Sequence, residues 1–147
     1  MRISMVGQAL EILGITEFVL NSEPTTEDEF NANFKKVTSV AADGRAVISS
    51  DTSTFGVSWS QVAAAIADGG TVPMAELRRQ RDAKLTIDVD PIVSNSLRWA
   101  ALSEAKQNEW VAYRTALLNV PSTQTSASWD GETLSNVTWP TKPEAAD

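Results

Sequence analysis

The sequence predicts a helix-dominant α+β fold: a small N-terminal module of helices with short strands, then a helical pair ending in an extended, proline-rich C-terminal arm. Three observations predict it. Apolar residues recur at helical spacing in several separate stretches, the richest being Trp110, Tyr113 and Leu117. Two Asp-Gly pairs, Asp43-Gly44 and Asp130-Gly131, mark tight turns of the kind that join short strands. The pair Gly69-Gly70 divides the chain into residues 1–70 and 71–147. It also separates two charge regimes, because the first part holds nine acidic and four basic side chains and the second holds ten and eight. The acidic surface is therefore expected on the first module.

In the first module, Ile3, Val6, Leu10 and Leu13 form a helical stripe that Gly14 stops. Phe18-Val-Leu20 is too short for periodicity to decide between a strand and a buried link. Thr26 with Glu29 makes a capping box, and Glu27 and Asp28 sit where the helix dipole favours acids, so a helix starts near residue 26. Phe30, Phe34 and Val37 would be its inward stripe, with Lys35 and Lys36 near its end. The Asp43-Gly44 turn then separates Val40 from Ala46-Val-Ile48 and predicts a small hairpin. Ser58 precedes Trp59, Val62, Ala63 and Ile66, which gives a short helix to Asp68.

In the second module, Pro73 suits the first turn of a helix running to about Leu85, along Met74 and Leu77. Pro91 interrupts the stretch from Thr86 to Arg98, which predicts an extended crossing. Ser103 caps the main helix, with Glu104 in its first turn; Asn119 and Pro121 are expected to end it. Its apolar face carries Trp110, Tyr113 and Leu117, widened by Val111 and Leu118, with Arg114 one turn beyond Trp110. A Ser/Thr-rich linker follows, then a hairpin at Asp130-Gly131 between Trp129 and Leu134. Pro140 and Pro143 impose an extended run toward an acidic end.

The totals narrow the function. The chain has 147 residues, 42% of them hydrophobic, enough for one ordinary domain or two very small ones. No apolar run approaches the roughly 20 residues a membrane span needs, and the start Met1-Arg-Ile-Ser-Met-Val-Gly7 lacks an extended signal core, so neither a membrane partner nor standard export is expected. A net charge of −7 argues against nucleic acid as main partner. Histidine and cysteine are both absent, which removes the commonest members of hydrolase triads, zinc sites and neutral-pH proton shuttles. Asp88 and Asp90 alternate but bring no further oxygen ligands, and the glycines form no phosphate loop, so no metal, no cofactor and no catalytic residue is expected. Arg78, Arg79, Arg81 and Lys84 read as a solvated face or as stems lying over apolar surface.

Five tryptophans are the informative excess, since each buries a large area and half-exposed ones are enriched at interfaces. Trp59 and Trp99 read as core. Trp110 with Tyr113 and Arg114 reads either as an internal helix face or as a docking face. Trp139-Pro140, on its stiffened arm, either folds back on the chain or reaches a neighbour.

From Met74 to Pro143 several motifs follow one another: Glu76-Leu-Arg-Arg-Gln-Arg-Asp-Ala-Lys-Leu85, Trp99-x-x-Leu102-Ser103, Trp110-x-x-Tyr113-Arg114-x-Ala116-Leu117, and Asn136-Val-Thr-Trp139-Pro140-Thr-Lys-Pro143. In that order they resemble the phage tail assembly chaperone family, whose related domains occur in tail fibre assembly proteins. The stretches Ala9–Ile15, Pro24–Asn31, Phe34–Val37 and Phe55–Trp59 look like the N-terminal parts of small tail-associated proteins from phages of marine cyanobacteria. The chain departs from the family pattern at Thr86-Ile-Asp88, where members often carry Thr-Asp-Trp.

The resemblance implies a non-enzymatic protein that binds and shields a tail, baseplate or tail-fibre polypeptide in the host bacterial cytoplasm during infection. Trp110, Tyr113, Arg114, Leu117, Trp139 and Pro140 are the expected partner-binding residues. The alternative is a structural component retained in the virion tail, baseplate or fibre attachment. Self-association into a homo-oligomer is open under either reading.

Overall fold

The computed structural model describes residues 1–144, and within them helices dominate over short antiparallel strands, as the sequence predicts. The acidic end expected beyond Pro143 falls mostly on residues 145–147, outside the described part. The first helix, α1, spans Met5–Ile12; Ser4 caps it by accepting from Gly7 N, and Val6, Ala9 and Leu10 are buried. Ile3 and Leu13, expected on its stripe, are instead exposed because they lie outside the helical turns.

Strand β1 is Phe18–Leu20, and helix α2 is Glu27–Asn33 with Thr26 as its cap. The helix ends earlier than its apolar spacing predicts: Phe34 is already extended (φ −89°, ψ 135°), and Phe34–Val40 forms β2. The physical reason is pairing. β2 is the middle strand of a β1-β2-β3 sheet, β3 being Ala46–Ser49, and it satisfies the backbone of both neighbours. The β2-β3 hairpin turns at Gly44 (φ +85°), as expected.

Phe34 still faces inward after this change of conformation. Phe30 stacks on it at 5.0 Å and Phe55 meets it edge-on at 4.6 Å, anchoring a core that includes Val6, Leu10, Ile15, Val62 and Val72. Helix α3, Trp59–Ile66, closes this core behind a capping box between Ser58 and Gln61.

The second half departs from expectation in two places, the crossing after α4 and the end of the main helix. After α4, Thr71–Lys84, the chain does not become extended but continues as a π-helical turn, Leu85–Val89, into α5, Asp90–Val93, and α6, Ser96–Ala100. Pro91 is accommodated because Asp90 N reaches back to Leu85 O, widening the turn, and the proline then falls at the start of a new helix where no donor is needed. Helix α7 spans Glu104–Thr123 with Ser103 as its cap. It runs past Pro121, which withholds only its own N–H; Gln124 N still bonds Val120 O at 2.8 Å, and Ser122 Oγ takes Asn119 O at 2.8 Å.

The hairpin at Asp130-Gly131 forms as predicted, pairing β4, Ser128–Trp129, with β5, Leu134–Ser135. Asp130 shapes it by accepting from the backbone N–H of Thr133 and Glu132, which holds its carboxyl below the usual range. Trp129 enters the first core, its Nε1 donating to Gln8 Oε1 at 3.0 Å, and Ile3 N donates to Gly131 O at 2.8 Å. A third apolar cluster, Met74, Leu77, Val120 and Ala127, joins α4 to α7.

Gly69 permits this closure. Its φ is +74°, its N–H donates to Ala127 O at 2.8 Å, and an added Cβ would lie 2.2 Å from Thr125 O. Gly69→Ala should therefore cost at least about 2 kcal/mol in urea denaturation. Gly44→Ala, where a left-handed conformation meets open space, should cost only about 1 kcal/mol.

Candidate partner-binding site

Trp110, Tyr113 and Leu117 share one face of α7, and the face turns inward: their exposures are 3%, 4% and 0%. They pack on Val89 and Ile92 from the π-turn and α5, with Trp99, Leu102 and Trp139 at the margin. The Trp110 and Tyr113 rings meet edge to face at 6.0 Å, a favoured arrangement for opposed ring quadrupoles. Arg114 points away and is exposed. So are Val111 (53%) and Leu118 (41%), which the sequence places on the same stripe but the helix carries round to its outer face.

The arm lies back along the chain. Trp139 is half-buried against the second and third clusters, and Lys84 Nζ sits 5.0 Å over its ring, so that basic residue of α4 serves as a cation–π partner. Pro140 is half-buried beside it. Further along, Lys142 Nζ reaches Asp88 Oδ1 at 3.4 Å, while Tyr113 Oη donates to Asp88 Oδ2 at 3.0 Å. Asp88 thus ties π-turn, α7 and arm together. Burial, and then the Asp88 carboxylate, push the Tyr113 phenol up from 10.0 to about 12, because ionisation would place a second anion in the same enclosed spot.

Arg79 and Arg81 of α4 are also engaged, while Arg78 is exposed. Arg79 grips the buried Glu76 through Nε at 2.9 Å and Nη2 at 2.5 Å, Gln80 adds a bond at 2.9 Å, and the guanidinium holds the Glu76 carboxyl below its usual range. Arg81 pairs with Asp82 at 2.6 Å. Among the described residues no group of three or more histidine, cysteine, aspartate or glutamate side chains is placed to hold a metal ion.

Between the π-turn, α6, α7 and the arm lies a cleft of about 370 Å³. Pro91, Ile92, Leu102 and Trp110 give it apolar walls, Arg98 and Lys142 charge its rim, and Ile87 stands at its mouth 71% exposed. The indole Nε1 of Trp110 is buried and has no hydrogen-bond partner among the described residues. An unsatisfied buried donor costs about 1–3 kcal/mol. A second groove of about 380 Å³ runs on the other side of the arm, between Pro140 and the α7 residues Ala112 and Ala116.

Of the six residues expected from the sequence, three build the interior face, Arg114 lies outside it, and Trp139 and Pro140 lie on the arm but outside the cleft lining, which the arm enters through Lys142 and Pro143. Sequence reasoning missed Ile87, Arg98, Leu102 and Lys142 as cleft residues. The one available signal was Ile87 itself, an apolar residue between Thr86 and Asp88 with no stripe to join.

Residues 74–144 match the family model described as phage tail assembly chaperone protein. That segment, from Met74 on α4 to the end of the described arm, contains every residue of the cleft, and the match supports a role in phage tail assembly. No curated protein and no solved structure matches the chain. Among the described residues no helix is long and apolar enough to cross a membrane.

The Tyr113 shift has a measurable sign. An unfolded tyrosine loses its proton near 10.0, whereas Tyr113 keeps it to about 12, so the folded state binds the extra proton between those values. Its stabilisation is complete below pH 10.0 and declines as pH rises towards about 12. Tyr113→Phe should remove this part of the alkaline decline in denaturation measured across the window, and should cost about 1–2 kcal/mol at neutral pH for the lost Asp88 bond.

Proposed function

We propose that the protein is a non-enzymatic tail assembly chaperone that binds a phage tail or tail-fibre polypeptide in the host cytoplasm and withholds its apolar surface until incorporation. The observation that carries this reading is the apolar-walled cleft within the family-matched segment, where Ile87 is left 71% exposed beside Pro91, Leu102 and Trp110. A peptide strand or turn entering the cleft would bring apolar side chains to Ile87, Pro91 and Leu102. Arg98 at the cleft favours a segment with an acidic flank, since the charge of Lys142 is already met by Asp88. Lys142 and Pro143 of the arm bound the cleft, and the acidic first half keeps the loaded complex dispersed.

Co-expression of the Ile87→Asp variant with the cognate tail and tail-fibre polypeptides tests this. The substitution alters a side chain that is 71% exposed, so stability should stay within about 0.5 kcal/mol while the yield of soluble tail polypeptide falls. Unaltered capture would place binding elsewhere on the chain.

A further inference from the structure

β3 is the outer strand of its sheet and pairs on one side only, with β2. Val47 and Ile48 on it are 42% and 47% exposed, and Val40, opposite Ala46, is 68% exposed. Arg45 O accepts from Ala41 N at 2.8 Å and Val47 O from Thr38 Oγ1 at 3.3 Å, so the odd-numbered residues turn their backbone groups to β2. Antiparallel alternation then directs the N–H and C=O of Ala46, Ile48 and Ser50 away from the sheet. Open edges are commonly blunted by a charge or a proline, and Ala46–Ser49 carries neither.

We propose that this edge pairs with the same edge of a second copy across a two-fold axis, joining two three-stranded sheets into one. Charge selects both the occupant and the register. With Ile48 set against Ile48 of the second copy, Ala46 faces Ser50, Val47 faces Ser49, and Arg45 faces Asp51 at each end. This register exchanges the outward backbone groups of Ala46, Ile48 and Ser50 with one another. Sliding the copies by one pleat period in either direction sets Arg45 against Ser49 or Ser53 and loses both ion pairs. The charged groups are available: Asp51 uses Oδ1 for the Ser53 N–H and hydroxyl, at 3.0 and 2.9 Å, and its Oδ2 has no partner among the described residues. Arg45 holds Asp43 through Nε at 2.6 Å, leaving its terminal nitrogens for the facing carboxylate. A strand from an unrelated chain would have to supply the same palindromic charge pattern, which the second copy carries by construction. The pairing is independent of the cleft and of its proposed peptide.

The full chain is tested by sedimentation equilibrium and by cross-linking. The wild type is expected to dimerise with concentration, and Ile48→Lys, which sets like charges face to face, to remain folded while self-association weakens at least about tenfold. The chain contains no cysteine, so Ile48→Cys gives one thiol per copy. Facing Cα atoms in such a pair lie about 5.5 Å apart, within disulfide reach, and mild oxidation should link this variant at least about tenfold faster than Ile87→Cys. Arg45→Asp and Asp51→Arg should each weaken the dimer, and the double exchange should restore it. A chain that stays monomeric, equal cross-linking by the two cysteine variants, or no recovery in the double exchange overturns the proposal. So does a monomer whose Ile48→Lys variant loses capture of the co-expressed tail polypeptide, which would assign the edge to a foreign strand.

Discussion

Burial of Trp129 in a core otherwise built from the first half of the chain is the contact on which the rest of the structure depends. Its ring joins Val6, Leu10 and Phe34, and its N–H finds Gln8 across 121 positions of sequence. The accompanying bond from Ile3 N to Gly131 O brings the start of the chain against the β4-β5 turn. Closing so long a loop costs conformational entropy, which the burial of one large aromatic ring together with its hydrogen bond offsets in part. It also explains the tight crossing at Gly69. The β4-β5 hairpin reaches the first core only if the strand before it, at Thr125, passes against a backbone with no side chain.

From that anchor the geometry of the cleft follows outward. α7 is held on α4 through Leu77 and Val120, and this decides which of its faces is enclosed. Trp110 and Tyr113 are then committed to the interior, leaving Val111, Arg114 and Leu118 to solvent. The arm is fixed twice, by Lys84 over Trp139 and by Lys142 on Asp88. Neither contact is strong alone, since exposed ion pairs and cation–π contacts each contribute about 1 kcal/mol or less. Together with the packing of Trp139 they hold a segment that has no helix or strand of its own. Within that enclosed face the indole N–H of Trp110 has no hydrogen-bond partner among the described residues.

Local chemistry made much of this legible. Thr26, Ser58 and Ser103 cap helices where their side chains and the following residues predict, and both Asp-Gly pairs turn hairpins. Spacing was less reliable where two conformations serve the same residues. Phe30 and Phe34 face one core whether Phe34 ends a helix or begins a strand, so their separation could not reveal β2. Pro91 marked a real break in the hydrogen-bond ladder, but a π-turn absorbed it and the expected extended crossing became a string of short helices. The cleft was correspondingly hidden, because Ile87, Arg98 and Leu102 converge only once that crossing is coiled.

The sequence by itself determined the helix-dominant α+β class, the caps and turns, the acidic bias of the first half, and the family resemblance carried by the aromatic helix and the Trp-Pro arm. All of these depend on neighbours within a few residues, or on the order of short motifs along the chain. Only the tertiary structure decided which aromatic rings are enclosed, where the strand edge is left open, and which side chains line the cleft. Those outcomes rest on contacts between residues far apart in sequence, whose burial energy overrides what each segment would favour alone.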